Sequence, residues 1–233
     1  MGLIDFHSHI LPHMDDGSSS VEESLEMLQM CANQNINIIV ATPHFYIDKE
    51  SVESFIHRRQ HSYNQLSLSI PNVKNYPSIR LAAEVQYFSG ISQFKEIKKL
   101  CVLNTNSILI EMPFEQWSNR VLIEIGDLLT TNRLSVIIAH AERYFRYGNN
   151  LKNLLSLFEL GSVIQVNTNS LTKLLLGLRI FRLLRNGITF VIGTDCHNVV
   201  NRLPLYNTAY VKIHKILGIN KLEQMNKIAL SLL

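Results

Sequence analysis

The residues best suited to chemistry gather at the ends of short apolar runs. His7 and His9 close Leu3–His9, and His44 follows Ile36–Thr42. Glu84 ends Ile79–Glu84, Glu111 ends Ser107–Glu111, and His140 ends Ser135–His140. Asp195 and His197 close Ile188–Asp195, and Asp16 follows the first run in Pro12-His13-Met14-Asp15-Asp16-Gly17. One such residue alone reads as a satisfied polar group; the set reads as a metal centre. Mixed imidazole and carboxylate donors suit borderline and hard divalent cations such as zinc, manganese or iron. Nine candidate ligands exceed the needs of one ion, so two or three are expected. The three cysteines, Cys31, Cys101 and Cys196, are scattered and odd in number. They imply neither a disulfide framework nor a thiolate-held structural zinc or iron–sulfur site.

Positioning these donors requires parallel strands. The runs named above, with Val163–Asn167, are rich in Ile, Val and Leu with few polar interruptions, as strands covered on both faces are. Helical patterns lie between them. Ser20 followed by Glu23 reads as a capping box before Leu25, Leu28 and Cys31. Further helices are expected over Lys49–Leu68, Lys152–Leu160, Leu171–Arg185 and Val211–Leu217, the last three ending near Gly161, Gly187 and Gly218. Ser69–Ser78, with Pro71 and Pro77, reads as a loop. Seven β/α units in series favour an α/β barrel over an open sheet, although the pattern alone does not decide closure; in a parallel barrel the strand ends share one rim. Residues at i and i+2 face the same way, so His7 converges with His9 and Asp195 with His197. Six of the seven strands deliver donors; Val163–Asn167 delivers none.

Composition bounds the alternatives. Apolar residues are 46% of the 233 and charged residues 18%, with mean hydropathy +0.08. This excludes disordered, collagen-like and coiled-coil chains. A net charge of +3 argues for no nucleic-acid partner. The charge is uneven: residues 171–233 carry nine basic and two acidic side chains. That reads as a solvated basic face or as a rim attracting an anionic substrate. Asp5, His7 and His9 stand where a signal peptide needs an apolar core. No run approaches a membrane span, and Met1-Gly2 lacks a myristoylation context because position 6 is Phe6. A cytoplasmic location without membrane insertion is expected.

The motifs, taken in order, resemble a known superfamily. Asp5-Phe6-His7-Ser8-His9-Ile10-Leu11-Pro12 with Asp15-Asp16-Gly17 resembles the opening of the polymerase and histidinol phosphatase (PHP) superfamily. The segments Val21-Glu22-Glu23-Ser24-Leu25, Ala41-Thr42-Pro43-His44, Glu111-Met112-Pro113-Phe114 and Ala139-His140-Ala141-Glu142-Arg143-Tyr144 are similar to its capsule-type bacterial tyrosine phosphatases, the CpsB/CapC branch. Asp195-Cys196-His197-Asn198 and Arg202-Leu203-Pro204 resemble the last motif of that branch. The resemblance implies one domain over residues 1–233, a distorted (β/α)7 TIM-like barrel with its site at the C-terminal rim, and a trinuclear centre. Manganese would be the usual ion, with iron, zinc, cobalt or magnesium as alternatives. Carried over by position, the ligands are His7, His9, Asp16, His44, Glu84, Glu111, His140, Asp195 and His197. Two departures stand out. His13 replaces a usual glycine, which would narrow the site mouth or add a proton donor. Ala141 replaces a usual proline, which would loosen the turn after His140.

The implied activity is protein tyrosine phosphatase. A metal-activated water attacks phosphorus, and the substrate is a phosphotyrosine protein, expected to be a bacterial tyrosine kinase controlling capsule or exopolysaccharide synthesis. Arg143 and Arg202 are the expected phosphate clamps, because a planar guanidinium matches phosphate oxygens in pairs. A homo-oligomer is compatible with the sequence. The alternative enzyme is a small-molecule phosphomonoesterase of histidinol-phosphatase type. A nuclease or proofreading module lacks flanking polymerase regions, and a module that had lost its metals would not keep nine donors. Cys196 and Arg202 have the Cys-x5-Arg spacing of thiolate phosphatases, but the intervening loop has no glycine, and Cys196 alternates away from Asp195 and His197. His57 and His61, with Arg58 and Arg59 between them, read as a solvated helix face, as do Arg179, Arg182 and Arg185. His214 reads as a surface residue.

Overall fold

The computed structural model describes residues 3–71 and 76–233. Met1-Gly2 and the middle of the loop Ser69–Ser78 lie outside the described residues. The strands are β1 (Leu3–Ser8), β2 (Ile36–Ala41), β3 (His44–Phe45), β4 (Ser78–Leu81), β5 (Glu84–Gln86), β6 (Ser107–Glu111), β7 (Ser135–Ile138), β8 (Val163–Asn167) and β9 (Phe190–Gly193). The helices are α1 (Val21–Asn33), α2 (Val52–Ser69), α3 (Asn119–Thr130), α4 (Asn150–Glu159), α5 (Thr168–Thr172), α6 (Leu174–Arg185), α7 (Asn207–Leu217) and α8 (Ile219–Ser231). All strand pairs are parallel.

The fold is α/β, with its parallel strands in two sheets ordered β1-β2-β4 and β3-β5-β6-β7-β8-β9; among the described residues no continuous ladder closes the expected barrel. The second expected strand, Ile36–Thr42, is followed by a separate short strand beyond its end, and the third, Ile79–Glu84, breaks in two. Pro43 has no N–H to give to a ladder, so β2 ends and β3 begins around it. The lower pieces β2 and β4 pair with each other, β2 also with β1; the upper pieces β3 and β5 pair with each other, β5 also with β6. Val102 and Leu103 fill the gap between β4 and β6: Leu103 donates its N–H to Leu81 at 2.8 Å and Val102 donates to Ser107 at 2.8 Å. At the other seam β1 and β9 share no ladder. An isolated bridge joins Ser8 to Cys196, and the Asp5 carboxylate accepts the Thr194 backbone N–H at 2.8 Å. Asp5 is fully buried, which pushes its pKa up to about 6 despite those hydrogen bonds.

Two apolar layers follow from strand alternation. Ile4, Phe6, Val40, Leu109, Ile137 and Val191 form an inner cluster, plugged by Ala229 of α8 and by Leu232. Ile39, Ile108, Val136, Ile164 and Ile192 face outward onto the helices. Helix starts follow their caps: Ser20 accepts the Glu23 N–H at 3.1 Å. Glu23 reaches back to Ser19 rather than Ser20, at 2.8 Å. Nothing in the spacing marked α3 or α8, and the expected helix Leu171–Arg185 begins earlier and is divided at Lys173.

Candidate metal centre

The nine expected ligands converge at the C-terminal ends of the strands. In β1 the register against β2 shifts between Asp5 and Ser8, a bulge that re-aims the strand. Below it Ile4 and Phe6 point into the inner cluster. Above it His7 and His9 turn their rings together, with the two Nε2 atoms 3.2 Å apart. The loop after β1 then folds back on His9. A Cβ at Gly17 would run into the His9 carbonyl oxygen and lie 2.5 Å from His9 Cβ, so only glycine fits there. Gly193 does the same for β9, where a Cβ would lie 2.5 Å from His7 Cβ. His140 and Asp195 stand in the left-handed region at φ 30° and 53°, a strain typical of functional positions.

Three donor groups form. His9, Asp16, His44 and His197 make one; His7, His9 and Asp195 another; His44, Glu84 and Glu111 a third. Within each, the donor atoms lie within 4.8 Å of one another. His140 joins the third group, with its Nε2 2.8 Å from Glu84 Oε1 and 3.3 Å from Glu111 Oε1. Glu84 is the hub: its Oε2 lies 3.1 Å from His7 Nε2, 3.3 Å from His9 Nε2 and 3.1 Å from His44 Nδ1. Yet Glu84 Oε2, His44 Nδ1 and His197 Nε2 are buried without a hydrogen-bond partner. Buried polar atoms normally find partners. Orphan lone pairs from two imidazoles and a carboxylate, gathered in one place, fit divalent cations.

The outward nitrogens are held in place. Asp15 accepts from His9 Nδ1, and Asp195 O accepts from His197 Nδ1 at 3.1 Å. Gln165 Oε1 lies 3.0 Å from His7 Nδ1 and accepts the His140 N–H at 2.6 Å. Gln165 Nε2 donates to Asn167 Oδ1 at 2.9 Å, and Asn167 Nδ2 donates to Asp195 Oδ2 at 2.8 Å. The Tyr144 hydroxyl accepts the Met112 N–H at 2.9 Å and lies 3.3 Å from His140 Nδ1. Asp15, Tyr144, Gln165 and Asn167 went unassigned in the sequence. Polar residues at alternate positions of a buried strand were the available signal for Gln165 and Asn167. The strand expected to deliver nothing thus orients three of the donors.

Burial disfavours a charged His9, but Asp15 and then Glu84 outweigh it and raise the imidazole to about 10. Burial, then His9, lowers His197 to about 3. Burial opposes the Asp195 carboxylate, but His7 and Arg143 overcome it and lower the pKa. Arg143 and Arg202 do not project freely. Arg143 Nη2 pairs with Asp195 Oδ2, and Arg202 Nη2 with Asp195 Oδ1 at 2.7 Å. Cys196 packs in the outer core, and burial pushes its thiol well up, the reverse of a reactive thiolate.

The remaining sequence expectations divide. His57, His61, Arg179, Arg182, Arg185 and His214 are exposed. Arg59 is buried instead and donates to Ala82 O at 2.6 Å. His13 is exposed, lines neither cavity at the centre, and sits at φ 59°. It therefore does not narrow the mouth, and a glycine would suit its backbone. The turn after His140 is closed by Arg143 N donating to His140 O at 2.9 Å, with Ala141 buried. One cavity at the centre, of ≈ 560 Å³, is lined by Asp16, His44, Tyr46, Lys49 and Arg58 among others. The Tyr46 ring stacks on His44 with centroids 5.3 Å apart. No helix among the described residues is long and apolar enough to cross a membrane.

The chain is similar to known proteins. The chain is 27% identical over 238 residues to the tyrosine-protein phosphatase CpsB of Streptococcus pneumoniae, covering 96% of this chain and 94% of that protein. It is 30% identical over 204 residues to the tyrosine-protein phosphatase YwqE of Bacillus subtilis (strain 168), covering 86% and 79%. Among solved structures, those of YwqE from Bacillus subtilis and CpsB from Streptococcus pneumoniae, described as unique metal-dependent tyrosine phosphatases, superpose with a TM-score of 0.83 at 26% identity, covering 99% of this chain and 94% of the other. A phosphotriesterase homology protein from Escherichia coli, at TM-score 0.52 and 11% identity over 97% and 91% of the chains, shares the fold. The family model for capsular polysaccharide synthesis, CpsB/CapC, matches residues 3–229, and the chain belongs to that family.

Proposed function

We propose that the protein is a metal-dependent protein tyrosine phosphatase acting, in the cytoplasm, on a phosphotyrosine protein, specifically a bacterial tyrosine kinase controlling capsule or exopolysaccharide synthesis. The observation that carries this reading is the meeting of nine donors, three of their atoms orphaned, beside two guanidiniums. His7, His9, Asp16, His44, Glu84, Glu111, His140, Asp195 and His197 would hold two or three cations, manganese by preference. Held there, such cations would supply an acidified water and positive charge for the phosphoryl oxygens.

The chain's own residues do the rest. Arg143 and Arg202 orient the phosphoryl group through charge-assisted hydrogen bonds, sharing their guanidiniums between it and Asp195. Gln165, Asn167 and Asp15 keep the imidazoles aimed. Tyr46 offers an aromatic wall for the substrate ring. A tyrosinate leaving group, with a pKa near about 10, departs with less proton assistance than an alkoxide. The whole chain acts as one domain in this reading, with β1 and β9 adjoining as the seam of a distorted barrel. The test compares turnover of phosphotyrosyl peptide, phosphoseryl peptide and histidinol phosphate by the metal-loaded protein. A marked preference for phosphotyrosyl peptide is expected; preference for histidinol phosphate overturns the reading.

A further inference from the structure

A second cavity, of ≈ 430 Å³, opens on Asp195 and shares no lining residue with the Tyr46 cavity. Arg143 and Arg202 form part of its wall, and Arg146, Lys173 and Arg179 line it as well. These last three side chains are exposed, and among the described residues none lies within ion-pair distance of a carboxylate. Arg179 packs on the Phe145 ring at 5.4 Å and Arg146 on Tyr147 at 4.9 Å, so both are held in place. Two carboxylates line the cavity, against five cationic side chains. Asp195 is bonded to Arg143, Arg202 and Asn167; Glu142 is buried, with Oε1 accepting from Ser170 Oγ at 2.7 Å and Oε2 left without a partner, so it is the one lining carboxylate not paired with a cation. In the Tyr46 cavity Arg58 is paired with Glu50 at 2.7 Å, and a single further cation, Lys49, lies over the Tyr46 ring at 3.8 Å.

Like charges gathered without counter-charges repel one another, and an anion relieves that repulsion. Helix α6 adds to the field. Its first turn has no side-chain cap, and Lys173 and Leu176 at that turn line the cavity. Uncapped N–H groups at a helix start favour negative charge. Phe145 and Leu176 supply an apolar wall for the stem that carries the charge.

We propose that this cavity binds a second anionic side chain, phosphoryl or carboxylate, of the phosphotyrosyl protein whose reacting group occupies the metal centre. The inference rests on the phosphatase reading above. The basic bias of residues 171–233 then has a local use, since Lys173 and Arg179 belong to it.

The metal-loaded protein is assayed on three peptides: one phosphotyrosine with neutral neighbours, the same peptide with a nearby glutamate, and the same with a second phosphotyrosine. The anionic peptides are expected to show kcat/KM about fivefold or more above the neutral one, falling with added salt. Comparison of the two identifies which anion the cavity takes. Lys173→Ala and Arg179→Ala should each shrink the preference, and together bring it close to unity by raising KM. Arg185→Ala, on the same helix but outside the cavity, should keep the preference. Equal kcat/KM for all three peptides overturns the proposal while leaving the phosphatase reading intact. So does an equal loss on p-nitrophenyl phosphate and on every peptide in the double variant, which would give the cavity to the reacting group. A collapse of the preference in Arg185→Ala overturns it in favour of a diffuse surface field. Failure to hydrolyse any phosphotyrosyl peptide overturns both readings.

Discussion

The Asp15 carboxylate accepts a hydrogen bond from His9 Nδ1 at 2.7 Å, and the same oxygen accepts the His44 backbone N–H at 2.8 Å. One side chain thus fixes the tautomer of one donor and the position of another. Asp15→Asn should lower metal affinity by about 10–100-fold while leaving circular dichroism unchanged. Titration of the stripped protein with Mn²⁺ reads this directly; an unaltered affinity would remove Asp15 from the supporting set.

Chelation should abolish phosphatase activity, and Mn²⁺ should restore it better than Mg²⁺. The donor groups motivate this, because imidazoles outnumber carboxylates in the first two of them and Mg²⁺ prefers oxygen ligands and holds its waters. The measurement is elemental analysis and turnover before and after chelation. Full activity in excess chelator, with no bound metal detected, would contradict the role assigned to the centre.

Cys196 and Arg202 separate two phosphatase mechanisms. Cys196→Ser should keep most activity, since the thiol lies in the outer core. Arg202→Ala should cut kcat/KM by about 10²-fold, as loss of one preorganised donor to a transferring group does. Steady-state kinetics with thermal melts as a folding control decide the matter. An inactive Cys196→Ser protein that retains its metals and fold, with a trapped phosphocysteine, would establish the thiolate route instead.

His13→Gly should stabilise the fold. His13 occupies the left-handed region at φ 59° and is exposed, and a side chain there costs roughly 1–2 kcal/mol, partly offset by glycine's greater freedom when unfolded. A rise in melting temperature of a few degrees, with turnover unaltered, is the expected outcome. A drop in turnover would place His13 in the catalytic path.

Much of the site was legible because its donors follow one-dimensional rules. His7 and His9 are two residues apart on a strand, as the pleat requires of side chains that meet. Glu84, Glu111 and His140 each close an apolar run, and parallel strands deliver their ends to one rim. The alternation of runs and amphipathic stretches carried the α/β class, and Ser20 with Glu23 marked the start of α1. Periodicity reports burial on one element at a time, and these features depend on little more.

What remained depended on where elements meet. No local pattern says that β2 and β4 pair on one sheet while β3 and β5 pair on another, because that choice is made by Pro43 in one strand acting on partners far away in the chain. The bulge in β1 is visible only against the register of β2. Arg59 reads as solvated until α2 is laid against Ala82. Gln165 and Asn167 stand out in the sequence only as polar residues at alternate positions of an apolar strand. They become orienting groups because β8 runs beneath His7, His140 and Asp195, residues drawn from three other segments. The chain alone therefore determined which donors exist and which end of the sheet they reach. The tertiary packing decided which nitrogen each imidazole turns inward, because buried polar atoms take their partners from whatever neighbour the fold brings within about 3 Å.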